Sequence, residues 1–400
     1  MRALLFERSL PRFAAARVAS ALGAGWGPKV GPLRLAEIDR PEPPAGAEGW
    51  HHVRPLLAGI CGSDLATVEG RSSRYFEPIV SFPFVLGHEV VGITDDDRRV
   101  VIEPVLSCAA RAVDPPCPSC AAGHTGTCER VAFGHVKPGL QTGFCADTGG
   151  GWSTGLVAHL SQLHPVPDAL ADEQAVLVEP TACAVHAALK ASPPAGSLPT
   201  VAVIGAGTLG LLTIAALRRY SLPGSILAGA KHPEQRRLAL SLGADVVVEP
   251  GELARAVRRH SRSLAVGDRL TGGADVVIDC VGTSDSIAEA LAIVRPRGRV
   301  VLVGMPASVT VELTGLWHRE VELVGAYAYG TEDAGPTDDL GTRQHTFELA
   351  FALVADADLG RLLTATYPLD RWQDAIAHAS AAGRRGAVKV AFDLRKENAR

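Results

Sequence analysis

The chain has 400 residues, too many for one ordinary hydrophobic core, since such cores stop growing at roughly 250 to 300 residues, and about right for two lobes. With 47% apolar and 20% charged residues the composition is that of a well-packed soluble protein, and a formal net charge of -4 offers no basic face to a polyanion, so no nucleic-acid partner is expected. Eight cysteines in a chain of this size do not read as the disulfide framework of a small secreted domain.

The opening Met1-Arg2-Ala3-Leu4-Leu5-Phe6 starts like a signal peptide, but Glu7 and Arg8 break the run, and no later apolar stretch approaches the roughly 20 residues of a bilayer span. A cytoplasmic protein with no membrane partner is expected. Up to about Pro167, short β-like runs at 90–93, 100–105 and 156–160 are separated by Gly, Pro and Asp, which predicts a compact, mostly β domain. The Ala-rich stretch 172–191 predicts a helix, closed by the linker Ser192-Pro193-Pro194-Ala195-Gly196. The wholly apolar run 201–204 then reads as a strand buried on both faces of a parallel sheet.

A helix at 209–220 follows, and strands at 225–227, 245–248, 274–280 and 299–303 alternate with helices at 233–242 and 284–294. That alternation is the pattern of a doubly wound α/β domain. Beyond Leu323 it loosens into two helical stretches, 346–355 and 371–382, and a last strand at 388–392. The expected organisation is an α/β protein with a mostly β domain, 1–170 completed by 326–400, and a doubly wound domain, 171–325.

Gly205-Ala206-Gly207-Thr208-Leu209-Gly210 is a G-x-G-x-x-G placed directly after a buried strand and at the start of a helix. The glycines serve a tight turn, close approach of a pyrophosphate to backbone, and close packing of helix on sheet, with phosphate at the positive helix N-terminus. A domain selecting NAD places Asp or Glu at the end of the next strand, where it binds both ribose hydroxyls. Here Ala230 stands in that place, with Lys231 and Arg236 or Arg237 nearby to neutralise a 2′-phosphate. NADP(H) is therefore expected in preference to NAD(H).

Three small islands carry metal-ligand chemistry: Cys61-Gly62-Ser63-Asp64, Gly87-His88-Glu89 and Val178-Glu179-Pro180. Together they offer thiolate, imidazole and carboxylates, a set suited to a catalytic zinc with one open coordination position. With the fingerprint at Gly205, the cysteine-rich stretch and Asp279-Cys280-Val281-Gly282, they make the chain resemble the zinc-containing medium-chain dehydrogenases, the family of alcohol, sorbitol, threonine and archaeal glucose dehydrogenases. The resemblance runs through nearly the whole chain. It implies a GroES-like catalytic domain beside a Rossmann domain, Cys61 and His88 as zinc ligands, Glu89 as a near or alternating ligand, Glu179 as the carboxylate ligand of polyol-type members, and Val281 and Gly282 at the cofactor. It also implies a homodimer or homotetramer, with 299–305 near the contact.

Ser63, two residues beyond a zinc thiolate, is well placed to carry off the substrate proton, and its family counterpart begins a proton relay. Ala66 stands where relatives often place the histidine that ends the relay, so the proton must leave through water, cofactor ribose or another side chain. Cys117-x-x-Cys120 with Cys128 has the knuckle spacing of a structural zinc site. Its fourth ligand is either Asp114, at the expected spacing before Cys117, or Cys108, the softer donor and the one preferred. Cys145, Cys183 and Cys280 are expected as small core residues.

These readings converge on an enzyme that moves hydride between NAD(P) and a hydroxyl-bearing carbon, zinc polarising the substrate oxygen. Glu179 and an aromatic content of only 5% favour a polyol, sugar or amino alcohol over a long apolar alcohol. The rivals are a zinc-free quinone or alkene reductase of the same superfamily, which lacks the ligand set, and a non-catalytic cofactor-binding protein, against which Ser63 argues.

Overall fold

The computed structural model describes residues 1–46, 48–191, 198–267, 269–333 and 343–397; the predicted linker 192–196 lies outside them. Backbone contacts divide the chain into two units, Met1–Glu179 with Asp358–Arg400, and Pro180–Ala357.

The first unit is built on strands whose inward residues are almost all aliphatic. Trp50–Gly59 is its central strand, paired antiparallel with Val90–Thr94 on one side and with Leu156–His159 and Lys389–Asp393 on the other. Arg99–Ile102 and Leu163–Pro165 extend the sheet beyond Val90–Thr94. A smaller sheet sets Arg2–Phe6 between Leu33–Glu37 and Phe84–Val85. Leu4, Val53, Leu86, Trp152 and Phe392 meet in one core, where the Trp152 and Phe392 rings pack edge to face at 5.3 Å. The Trp152 indole N–H donates to the Gly59 carbonyl at 3.1 Å and so ties the core to the chain just before Cys61.

The longest element that escapes the β expectation among the described residues of this unit lies near its start. Leu10–Leu22 is an α-helix between the first two strands, opened by Ser9, whose hydroxyl faces the Arg12 N–H, and by Pro11 in the first turn.

The second unit is a six-stranded parallel sheet. Its strands run, in spatial order, Val246–Val248, Ser225–Gly229, Thr200–Ile204, Ala274–Asp279, Val294–Leu302 and Glu322–Gly325. The chain reverses direction of growth between Thr200–Ile204 and Ala274–Asp279, the place where doubly wound sheets open a crevice for a ligand. Val294–Leu302 is paired with Glu322–Gly325, so among the described residues the sheet ends on that side with the latter strand and on the other with Val246–Val248.

Several expectations shift in detail. The predicted helix 172–191 is two, Asp172–Ala175 and Val178–Lys190; Pro180 lies in the first turn of the second, where its missing N–H breaks no intrahelical bond. Residues 171–179 group with the first unit, where Arg99 and Arg395 reach Asp172 and Glu173. Residues 326–357 group with the second, because the helix Thr346–Asp356 is fastened there: the Tyr220 hydroxyl donates to the Leu349 carbonyl at 2.6 Å and Tyr329 packs on Phe347. The return to the first unit begins at Asp358, not at 326. No helix among the described residues is long and apolar enough to cross a membrane.

Trp152→Phe keeps the apolar ring but strands the buried Gly59 carbonyl. A loss of about 1–3 kcal/mol is expected, read as a lower urea midpoint of the first unit's unfolding transition.

Candidate metal centres and cofactor turn

Cys61 precedes the short helix Gly62–Val68 in extended conformation, and Asp64, one turn in, accepts the Cys61 N–H at 3.0 Å. The Cys61 thiol belongs to a group of three possible ligands. Its partners come from the loop ahead of Val90–Thr94: the ligand atoms of Cys61, His88 and Glu89 all lie within 4.8 Å of one another. Gly87 is required at the bend, with φ of 92° and the Trp152 ring 2.3 Å from where a Cβ would stand.

Two buried residues that the sequence reading left without a role complete this site. Asp64 is fully buried and places Oδ1 3.3 Å from Nδ1 of His88, the arrangement by which a carboxylate orients a metal-binding imidazole. Lys389, also buried, contacts Glu89 Oε2 as an ion pair. Burial works against the Lys389 charge, but Glu89, Cys61 and Glu179 outweigh it and raise its pKa. Glu179 is buried at the start of Val178–Lys190; it acts on Lys389 but is not in the tight Cys61 group. Burial likewise disfavours an imidazolium at His88, yet Asp64 and then Cys61 hold its pKa well above the usual value.

The centre thus gathers a thiol and three carboxyls around one lysine, an excess of potential negative charge buried from water. The lysine alone does not balance that excess, and the donor set fits a divalent zinc that would. Ser63 is half-buried in the same helix, its carbonyl engaged by the Thr67 hydroxyl at 2.9 Å, and Ala66 is buried one turn on.

A second group lies in a separate lobe. The Sγ atoms of Cys108, Cys117, Cys120 and Cys128 are all within 4.8 Å of one another, and Asp114, exposed, is not among them. Of the two candidates for the fourth position, the structure brings Cys108. Backbone N–H groups of Cys117, Glu129 and Arg130 point at Sγ of Cys108, Cys117 and Cys128 at 3.3, 3.4 and 3.4 Å. Burial pushes the Cys117 thiol up, but the backbone N–H groups of Cys120 and Glu129, with the thiols of Cys108 and Cys120, bring it down to about 7; burial pushes Cys120 up, and Cys128 to about 11. Four adjacent sulfurs cannot all ionise unaided, and a closed zinc site is the arrangement that lets them. Cys145 is buried and Cys280 half-buried like Cys183; desolvation raises the thiols of Cys145 and Cys280, the latter to about 12.

In the second unit the fingerprint follows the strand Thr200–Ile204 and opens the helix Thr208–Ala216. Gly205 has φ of 89°, and a Cβ on Gly210 would stand 1.9 Å from the Gly205 carbonyl, so protein packing accounts for both. Gly207 is different: a Cβ there would meet nothing within 4 Å. Its bareness leaves the helix N-terminus open to the approach that a dinucleotide phosphate needs. Beside it, the buried Asp279 carboxylate accepts the N–H groups of Val281 and Gly282 at 2.8 and 3.1 Å and the Ser286 hydroxyl at 2.8 Å, which holds the Val281–Gly282 turn against Gly205.

At the end of Ser225–Gly229, Ala230 is buried and Lys231 exposed. Arg236 donates to the carbonyls of Ala230 and Lys231, each at 3.2 Å, and lies 3.4 Å from Glu249, whereas Arg237 turns to Glu234. Arg236 is therefore the arginine fixed at this turn.

Known proteins bear the same pattern. Residues 47–168 match the alcohol dehydrogenase GroES-like domain and residues 208–340 the zinc-binding dehydrogenase family. L-Idonate 5-dehydrogenase of Vitis vinifera is 30% identical over 69% of this chain and 73% of that protein. The chain belongs to the zinc-dependent medium-chain dehydrogenase family. Sorbitol dehydrogenase of Arabidopsis thaliana is a further relative of this dehydrogenase, 28% identical over 86% of the chain and 89% of that protein. Among solved structures, galactitol-1-phosphate dehydrogenase of Escherichia coli (TM-score 0.69, 20% identity, 98% of this chain and 100% of that one) shares the fold. So does a zinc-binding dehydrogenase of Sinorhizobium meliloti 1021 bound to NADP (TM-score 0.68, 24% identity, 90% and 96%). As a member of this family the chain is an NAD(P)-dependent oxidoreductase of the alcohol and polyol dehydrogenase type.

Asp64→Asn retains an acceptor for the Cys61 N–H but removes the charge facing His88. Zinc affinity of the Cys61 centre is expected to fall about 10–100-fold, measured by competition with a chromophoric chelator.

Proposed function

We propose that this dehydrogenase uses NADP⁺ to oxidise a secondary carbinol of a small polyol, sugar or amino alcohol, with Cys61, His88, Glu89 and Glu179 serving zinc and Ser63 receiving the substrate proton. The observation that carries the reading is the buried convergence of Cys61, His88 and Glu89 with Asp64 behind the imidazole and Lys389 behind the carboxylate. The sorbitol and L-idonate named for the two relatives support a hydroxyl-rich substrate.

When bound, zinc supplies the Lewis acidity that favours the ionised substrate hydroxyl. The protein's own groups do the rest. Asp64 fixes the ring of His88 so that one nitrogen faces the centre, and Lys389 restrains Glu89 so that its carboxylate can engage the metal or the lysine without being stranded in the core. Ser63 accepts the hydroxyl proton at Oγ, and with Ala66 in place of an imidazole that proton passes on through water, cofactor ribose or another side chain. The second zinc belongs to Cys108, Cys117, Cys120 and Cys128.

In the second unit Gly205, Gly207, Thr208, Leu209 and Gly210 cradle the pyrophosphate, and Val281 and Gly282 contact the nicotinamide end. Ala230 leaves room for a 2′-phosphate, which Lys231 and Arg236 recognise. The zinc-free reductase reading has nothing to explain the buried ligand cluster, and the non-catalytic reading does not use Ser63. Homodimers or homotetramers in the cytoplasm complete the proposal; a monomer by light scattering at micromolar concentration would count against assembly.

Three outcomes test this reading. Elemental analysis is expected to give two zinc ions per chain, and a value of one or none removes the corresponding centre. Cys61→Ala is expected to abolish turnover of alcohols, polyols and aldoses in a cofactor-linked panel while NADP⁺ binding by fluorescence is retained; near-normal rates would refute the catalytic assignment. Ala230→Asp is expected to reverse a preference for NADP⁺ over NAD⁺ in kcat/KM, the new carboxylate favouring ribose hydroxyls and repelling phosphate by about 1–3 kcal/mol. An unchanged ratio would show that cofactor choice is made elsewhere.

A further inference from the structure

At the end of the strand Ala274–Asp279 one residue holds two turns. Asp279 is fully buried. Its carboxylate accepts the N–H groups of Val281 and Gly282 on Oδ1 and the Ser286 hydroxyl on Oδ2. Its carbonyl accepts the N–H groups of Val303 and Gly304 at 2.9 and 2.8 Å, in the turn that leaves the neighbouring strand Val294–Leu302. Four backbone donors from two turns thus end on Asp279. The bonds to the carboxylate are of the stronger, charge-assisted kind, and Ser286, in the first turn of the helix Ser284–Ile293, anchors the far oxygen to a regular element.

The two turns meet backbone to backbone. Gly282 has φ of 77°, and a Cβ on it would stand 2.7 Å from the carbonyl carbon of Gly304, while a Cβ on Gly304 would run into the carbonyl carbon of Val281. On its other side Val281 meets the fingerprint: a Cβ on Gly205 would stand 2.5 Å from its Cγ2. Val281 is therefore fixed from three directions, by the Asp279 carboxylate, by Gly304 and by Gly205. Its apolar side chain is nevertheless 45% exposed, beside the switch point of the sheet, where a ligand's face would cover it.

We propose that Asp279 is the positioning residue for the nicotinamide half of the cofactor. Buried as it is, it acts through the turns: by fixing Val281–Gly282 against Val303–Gly304 it sets the surface on which that half rests. The adenosine half is served elsewhere, at the end of the strand Ser225–Gly229. The proposal rests on the assignment of Val281 and Gly282 to the nicotinamide end. Removing the carboxylate releases two N–H groups and loosens the nicotinamide seat alone, whereas loss of a residue that merely stabilised the fold would weaken both halves alike.

The test titrates full-length protein calorimetrically with NADP⁺ and with adenosine 2′,5′-bisphosphate, the adenosine half by itself; if the parent prefers NAD⁺, the pair is NAD⁺ and 5′-AMP. Asp279→Ala is expected to weaken the dinucleotide about fivefold or more and the adenosine half less than about twofold. Asp279→Asn, whose amide oxygen can accept both N–H groups and whose N–H₂ can donate to Ser286, is expected to stay within about threefold of the parent for both ligands. Urea midpoints check folding, and if Asp279→Ala does not fold, Ser286→Ala, which removes the anchor of Oδ2, must show the same split at about threefold. Equal weakening of both ligands, an unchanged dinucleotide affinity in Asp279→Ala, or an Asn variant as weak as the Ala one overturns the positioning role. Gly304→Ala displaces the turn without altering Asp279, and dinucleotide binding like the parent's in that variant refutes the nicotinamide-end assignment itself. A parent that binds neither dinucleotide refutes the cofactor reading, an outcome distinct from the others.

Discussion

The first unit depends on keeping a buried ion pair intact. Lys389 and Glu89 are both removed from water, and either one alone would leave an uncompensated charge in a hydrophobic interior, which costs several kcal/mol. The pair survives because it sits inside a wider balance that includes Cys61, Asp64, His88 and Glu179. Residues from four distant stretches of chain must arrive together for that balance to hold. The sheet brings them: the strand Lys389–Asp393 lies beside Trp50–Gly59, which leads into Cys61 and pairs with the strand that follows His88 and Glu89.

In the cysteine lobe the gathering is local: four thiols from one short stretch of chain have their Sγ atoms within 4.8 Å of one another. Backbone N–H groups of Cys117, Glu129 and Arg130, and not a strand from the far end of the chain, stand against the sulfurs.

How much of this could be read from the sequence follows from how local each signal is. The cofactor turn was legible because its causes are consecutive: a fully buried strand, two glycines required by backbone geometry and a third left bare. The meeting of Cys61, His88 and Glu89 was expected by resemblance, and that of Cys108 rather than Asp114 with the other cysteines by softness. Asp64 and Lys389 were not, although each left a trace. Asp64 stands three residues after a cysteine at a helix start, a capping position. Lys389 interrupts the apolar run Val388-Lys389-Val390-Ala391-Phe392, a place where lysine persists only with a buried partner. The helix Leu10–Leu22 was missed because its apolar residues do not fall on one face, and the true return point at Asp358 because helix Thr346–Asp356 belongs to its unit through tertiary bonds such as Tyr220 to Leu349.

The interruption of the first unit by the second has a temporal meaning. A ribosome releases residues 180–357 before it makes the strand Lys389–Asp393, so the parallel sheet has all its strands while Trp50–Gly59 still lacks one neighbour and Glu89 its lysine. The turn at Gly205 can close on a nascent chain. The Cys61 centre cannot reach its final electrostatic state until the last strand emerges. Maturation of this enzyme is thus ordered by its topology, cofactor half first and chemistry last, and a nascent chain halted before Lys389 would keep its carboxylates without the ammonium that restrains them.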